Sequence, residues 1–391
     1  MKKRIALILA TLMLGSTFLV GCGKKETGGN NSTTGDSDVI KIGVFEPLTG
    51  ANAGGGALEL EGIKLANKLY PEVLGKKVEL VIADNKSEKV EAANAAAKLV
   101  EKDKVTAIIG SWGSSLSMAA GDIVKKAQIP AVGTSCTNPL VTKGNEYYFR
   151  VCFIDPFQGT VMANYAFNKL KAKKVAIVQE VSSDYAIGLA KYFTDSFKKL
   201  TGDDNAIIDV ANYNTGDQDF TAQLTNIKSK NPDAIFAPGN FTESALVIKQ
   251  ARDLGITCPI IGGDTWETPE FIKIGQQAVE GVALSTFFAT EKPITKESEK
   301  FLAEFKKEYN KEPAAVSALG YDAYLILIKA LEKTGEVNSV KLRDSLANIK
   351  DFEGAAGIVN FDENRDAVKD AVIKEVRDGK FQFLDVVKPT K

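Results

Sequence analysis

Short apolar runs alternate along most of the chain with longer stretches in which apolar residues recur at helical spacing. Ile40-Lys41-Ile42-Gly43-Val44-Phe45 reads as a strand that ends at the turn Pro47-Leu48-Thr49-Gly50. Ala57 to Leu69 reads as a helix, with Leu58, Ile63, Leu65, Ala66 and Leu69 near one face. Val78 to Ala83 is a strand, Lys89 to Glu101 an alanine-rich helix, Ala107 to Gly110 a strand, Ser115 to Lys126 a helix and Ile129 to Val132 a short strand. The rhythm restarts after Asp155-Pro156. Helices are predicted over Phe157 to Leu170, Asp184 to Leu200, Phe220 to Lys230 and Glu243 to Leu254. Strands are predicted at Val175 to Val178, Ala206 to Val210, Ala234 to Ala237 and Ile260 to Gly262. Two later helices, Glu299 to Tyr309 and Leu319 to Lys333, precede a strand-like tail at Ile358 to Phe361, Val372 to Val376 and Phe381 to Val387. Such alternation implies an α/β chain with two parallel-sheet units, helices on both faces of each.

The N-terminus breaks this rhythm. Met1-Lys2-Lys3-Arg4 is basic, and Ile5 to Val20 is a mostly apolar run of 16 residues. That is short of the ~20 needed to span a bilayer. With the small residue Gly21 before Cys22, the parts of a secretion signal are in order. The ending Leu19-Val20-Gly21-Cys22 resembles the bacterial lipobox, which implies cleavage before Cys22 and acylation of its thiol. Residues 1–21 are then a signal peptide. Residues 22–38 are a tether, since Gly23 to Asp38 carries nothing apolar. The expected location is the outer face of a bacterial membrane, reached through a lipid anchor.

Charge and chemistry narrow the function. Without residues 1–21 the chain has 370 residues with 46 basic against 50 acidic side chains, a balance of −4. This excludes a polyanion binder, so nucleic acid is not an expected partner. Histidine is absent, which removes an imidazole base, a Ser-His-Asp or Cys-His arrangement and a His-bearing zinc site. No GxxxxGK[ST] loop occurs, and Gly54-Gly55-Gly56 lacks the GxGxxG pattern. No cofactor, metal or catalytic activity is expected. Beyond Cys22 there are Cys136, Cys152 and Cys258, an odd number without CxxC spacing. Cys136 and Cys152 could pair, but buried free thiols are the simpler reading.

Open parallel sheets bind ligands beyond the carboxyl ends of their strands. Those ends carry Ser111-Trp112-Gly113-Ser114-Ser115, then Gly133-Thr134-Ser135-Cys136-Thr137-Asn138-Pro139, Ser182-Ser183-Asp184-Tyr185, Pro238-Gly239-Asn240-Phe241-Thr242 and Gly262-Gly263-Asp264-Thr265-Trp266. Ser114 at a helix start and Thr137 suit a carboxylate held by neutral donors. Asp264 suits an ammonium. Each also has a local structural use: Ser114 and Asp264 as helix caps, Thr137 in a turn, Trp112 and Tyr185 in packing.

From Val39 to the C-terminus the chain resembles the leucine/isoleucine/valine-binding proteins of branched-chain amino acid ABC importers. The matching stretches include Pro47-Leu48-Thr49-Gly50, Gly113-Ser114-Ser115, Ser135-Cys136-Thr137-Asn138-Pro139, Asp155-Pro156-Phe157-Gln158-Gly159, Gln250-Ala251-Arg252-Asp253-Leu254-Gly255 and Gly320-Tyr321-Asp322-Ala323-Tyr324. The resemblance implies a type I periplasmic binding protein fold, two doubly wound lobes joined by a three-strand hinge. Lobe one is expected over 39–156 plus 286–366, and lobe two over 157–285 plus 367–391. Ser114 and Thr137, with the backbone of Ser135 between them, would hold the substrate carboxylate and Asp264 the ammonium, and Tyr185 matches a tyrosine of the family's site. The resemblance further implies ABC permease subunits as partners of a monomeric binding protein.

Two family tyrosines are replaced, one by Gly55 and one by Asn240 with Phe241 beside it. Trp112 stands where the family touches the ligand side chain, and either shrinks that pocket or closes space the tyrosines left. The expected ligand is an amino acid, branched-chain or otherwise aliphatic. A binder of amides, urea or other small polar solutes, and an amino-acid sensor domain, stay open as alternatives. Asp264 in an open, wet cleft is expected to contribute to affinity and little to stability.

Overall fold

A computed structural model describes residues 38–389. The signal peptide expected over residues 1–21, the tether expected up to Ser37 and Cys22 lie outside the described residues. The first sheet comprises β1 (Val39–Glu46), β2 (Glu72–Val73), β3 (Lys76–Asp84), β4 (Ala107–Ile109), β5 (Ala131–Gly133) and β6 (Tyr148–Arg150), in the order β2-β3-β1-β4-β5-β6. All its pairings are parallel except the short β2–β3 edge. The second contains β7 (Val175–Glu180), β8 (Ile207–Tyr213), β9 (Ala234–Phe236), β10 (Ile260–Gly262), β11 (Ala283–Thr286), β14 (Ala371–Arg377) and β15 (Lys380–Val387), in the order β15-β14-β11-β10-β9-β7-β8. Its tail strands β14 and β15 join antiparallel. β12 (Phe352–Gly354) and β13 (Gly357–Val359) form a separate hairpin.

The central strands are short and buried along their whole length, which is why they read as continuous apolar runs. Helices cross over between them: α1 (Ala53–Leu69), α2 (Lys89–Ala97), α3 (Ser114–Ala127), α4 (Asp155–Asn164), α5 (Asp184–Thr201), α6 (Thr221–Lys230), α7 (Phe241–Asp253) and α8 (Pro269–Gly275). After β11 come α9 (Lys296–Tyr309), α10 (Ala315–Thr334) and α11 (Ser339–Ala347). α10 returns to the first unit and packs on α1. The helices touch backbone to backbone, since a Cβ on Gly62 would sit 1.8 Å from the Ser317 carbonyl oxygen and one on Gly320 2.2 Å from that of Glu59.

The chain passes between the two sheet units three times: after β6, after β11 and before β14. Arg150, at the end of β6, ties two of these passages together. Its Nε donates to Asp366 Oδ1 at 2.6 Å, and the guanidinium is fully buried. Its other nitrogens donate to the Cys136 and Asn138 carbonyls and to Thr142 Oγ1, so the charge is both paired and hydrogen-bonded.

Several elements differ from the sequence expectation. The helix expected over Phe157 to Leu170 begins at Asp155, because Pro156 is well suited to a first turn, and becomes a wider π-type turn over Tyr165–Lys169. The strand expected at Ile358 to Phe361 is confined to Gly357–Val359 and pairs only within its hairpin. β6, β11, α8 and α11 carry weak or very short periodicity and were not expected.

Candidate functional site

A cavity of about 420 Å³ lies between the carboxyl ends of the two sheets. From the first unit, Trp112, Gly113, Ser114, Ser115 and Ser135 form its wall. From the second, Glu180, Ser182, Ser183, Tyr185, Asn240 and Thr265 do so. Of the sequence-expected site residues, Trp112, Ser114, Ser135, Tyr185 and Asn240 reach this surface. Thr137, Asp264 and Phe241 are buried behind it.

The first-unit wall is built of hydroxyls at strand ends. Gly113 has φ +89°, a conformation that disfavours any side chain, and this turn starts α3. Ser114 is the first helical residue. It does not cap its own helix: its Oγ accepts the Asn138 N–H at 3.0 Å, which fixes the second loop against the first. The amino end of α3 therefore faces the cavity with neutral donors. Thr137 Oγ1 is buried without a hydrogen-bond partner. Behind it, burial pushes the Asp155 carboxyl well above the usual range, the Thr137 hydroxyl opposes that rise, and neither Asp155 oxygen has a donor.

The second-unit wall centres on Asp264. Its Oδ1 accepts from Tyr185 Oη at 2.9 Å and from Gln158 Nε2 at 2.6 Å. Gln158 also donates to Ser285 Oγ at 2.9 Å. Burial raises the Asp264 carboxyl to about 6, against the lowering effect of Gln158 and Tyr185. The side chain caps no helix. It is locked inside the second unit, which corrects the expectation of a solvated carboxylate that matters little for stability. Gly263 is required here, because a Cβ would come within 2.1 Å of Tyr185 Oη.

Trp112 answers the question raised by Gly55. A Cβ on Gly55 would lie 2.3 Å from the indole ring. The tryptophan thus fills the space a side chain at position 55 would take, and it meets Phe241 of the other unit edge-on, ring centroids 6.3 Å apart. Asn240 is held by its backbone and its amide. Its backbone N–H donates to Glu180 Oε2, and its Nδ2 reaches across to the Ala51 carbonyl at 3.2 Å.

The two units also touch beside the cavity through Asp184. Ser115 Oγ donates to Asp184 Oδ2 at 2.7 Å and accepts its backbone N–H at 3.0 Å. Lys89 Nζ pairs with the same Oδ2 at 2.8 Å, and Asn138 Nδ2 donates to the Asp184 carbonyl at 2.7 Å. Sequence reasoning missed this role, as it missed Gln158 and the buried acids Glu46 and Glu59. Gln158 sits in a stretch already noticed for its resemblance, where its amide beside Asp155 was the available signal.

The described residues 39–380 match the family model described as periplasmic binding protein. The chain belongs to the periplasmic binding protein family. It is 32% identical over 336 residues to the Leu/Ile/Val-binding protein BraC3 of Rhizobium johnstonii, covering 84% of this chain and 88% of that one. Among solved structures, it is similar to a leucine binding protein LivK from Thermotoga maritima, with TM-score 0.86 and 43% identity, covering 90% of this chain and 99% of the other. A second similar structure is the branched-chain amino acid transporter substrate binding protein LivJ from Streptococcus pneumoniae in complex with isoleucine. There the TM-score is 0.84 and the identity 37%, over 90% and 100% of the two chains. The fold is the type I periplasmic binding protein fold, and its family consists of solute-binding proteins. Among the described residues no helix is long and apolar enough to cross a membrane.

Proposed function

We propose that this is an extracytoplasmic, lipid-anchored binding protein that captures a free aliphatic α-amino acid and delivers it to an ABC importer. The observation that carries the reading is the split polarity of the cavity. Neutral donors at the start of α3 and on the Ser135–Thr137 loop stand on one unit, and the Tyr185–Asp264 pair on the other. A zwitterion satisfies both ends at once, and the Trp112–Phe241 contact supplies an apolar flank. Similarity to proteins named for leucine, isoleucine and valine supports the same ligand class. In this reading residues 39–156 plus 286–366 and residues 157–285 plus 367–391 are the two lobes, and ligand bridging them favours the closed arrangement. The closed form is what permease subunits engage, and Cys22 keeps the monomer at the membrane.

Calorimetric titration with leucine, isoleucine, valine, alanine and threonine tests the ligand class. At least one aliphatic amino acid should bind, and acetamide and urea should not. Binding of the amides alone would move the protein to another solute class.

A further inference from the structure

Beneath the first-unit wall lie two acids that neither the cavity lining nor the fold accounts for. Glu46 ends β1 and Glu59 sits on α1; both are fully buried. Each holds one of the loops that form the wall. Glu46 Oε2 accepts the Trp112 N–H at 2.7 Å. Glu59 Oε2 accepts from Thr134 Oγ1 at 2.6 Å, one residue before Ser135 of the cavity wall. Glu46 Oε1 and Glu59 Oε1 find no other donor, and the two carboxyls are within hydrogen-bonding reach of each other. Two acceptor-only carboxylates cannot bond; a proton between them can.

Among the described residues no counter-charge is in direct contact with the pair. The titratable groups facing the pair are the Cys136 thiol from the loop after β5 and the Tyr148 hydroxyl from β6, which donates to the Gly110 carbonyl. From α10, Gly320 packs against the Glu59 backbone. Arg150 acts on Cys136 and Tyr148 and is spent on Asp366. The bonding pattern also divides the roles. Glu46 is the acid, raised well above its ordinary range by burial and by Glu59. Glu59 accepts from Thr134 and faces Glu46, so it is the carboxylate, lifted by burial to about 7.

Resting on the amino-acid reading of the cavity, we infer that Glu46 and Glu59 are positioning residues that share one proton under the carboxylate-holding wall, and that a second proton is taken up at Glu59 when the ligand carboxylate settles above it. The Thr134–Ser135 step links the two events, since Thr134 donates to Glu59 and Ser135 beside it lines the cavity. A ligand carboxylate near the buried Glu59 charge favours its neutral form. The folded, ligand-bound protein then holds Glu59 with a higher affinity for protons than the empty one. Ligand affinity consequently falls as pH rises through the Glu59 range, by up to about tenfold for each unit by which the ligand raises it.

Calorimetry of the mature protein with leucine near pH 7, in buffers of different ionisation enthalpy, counts the protons. The wild type should take up as much as about half a proton. Glu59→Gln should still bind leucine with that uptake lost and the alkaline fall in affinity flattened. Cys136→Ser should retain both, which separates Glu59 from the neighbouring thiol. No uptake in the wild type, or the same uptake in Glu59→Gln, overturns the inference. If Glu59→Gln does not fold, wild type titrated with leucine and with leucinamide decides, because the amide keeps the ammonium and lacks the carboxylate; equal uptake overturns it. The shared proton is also read without ligand, as a protonated-carboxyl infrared band at neutral pH that is lost in Glu46→Gln. That band, present while no amino acid binds, would retire the amino-acid reading and leave the shared proton standing; its absence overturns the proton pair itself.

Discussion

Asp264 has two structural obligations before any ligand arrives. Tyr185 and Gln158 both donate to its Oδ1 inside the second unit. Replacing it with alanine strands a buried hydroxyl and a buried amide, at a cost of about 1–3 kcal/mol to the empty protein. If the same carboxylate pairs with the ligand ammonium, affinity falls as well, by roughly a hundredfold or more. Chemical denaturation and titration of Asp264→Ala should therefore both change; full affinity in a destabilised mutant would place Asp264 in the scaffold alone. Acid should weaken binding for the same reason. An ammonium holds Asp264 ionised, so its carboxyl lies lower in the complex than the value near 6 in the empty protein. Through Asp264, affinity then rises with pH up to about 6, below the range in which Glu59 lowers it. The residue type was legible from its place after a strand. Its burial was not, because Gln158 lies 106 positions away in sequence.

At the scale of elements, the strand–loop–helix units were readable wherever a run of apolar residues met a turn. The wall-forming loops after β4 and β5, and the helix starts beside Tyr185 and Asn240, follow from that pattern. What periodicity could not show is which loop fills which space. α1 carries Gly55 because the Trp112 ring occupies the room beside it. Gly55→Ala should force that ring aside, with a loss of about 1–3 kcal/mol in stability. Trp112→Ala should cost about 3–5 kcal/mol by opening a cavity. The double mutant should cost less than the sum, since alanine at 112 makes room for the new methyl. Thermal melts of all four proteins give the cycle; additive losses would mean the ring and position 55 do not compete. Short elements such as β6 and β11 were missed because three or four residues carry almost no periodic signal, and their strand character comes from pairing with neighbours.

For the molecule as a whole, Asp184 is the principal polar bridge beside the cavity. Its contacts with Ser115, Lys89 and Asn138 all cross from one sheet unit to the other. The Lys89 pair is half exposed and contributes little by itself. Together with the hydroxyl and amide bonds it favours the arrangement in which the units touch. Asp184→Ala should lower ligand affinity about five- to tenfold without removing a ligand contact, by reducing the fraction of molecules ready to close. Small-angle scattering should show the ligand-free mutant more expanded than the wild type; identical profiles and affinity would show that the bridge does not bias closure.

The seating of α10 on α1 has a consequence for how the chain is made. The first sheet cannot bury that face until residues 315–334 exist, and the second lacks its edge until β14 and β15 follow. A ribosome delivers those segments last. The emerging chain therefore stays short of a finished core in either half for most of its synthesis, and contacts of such long sequence separation form slowly once it is complete. For the extracytoplasmic location proposed above, that delay leaves time for the chain to be threaded through a membrane pore before it folds, and chaperones that bind extended chains gain a substrate.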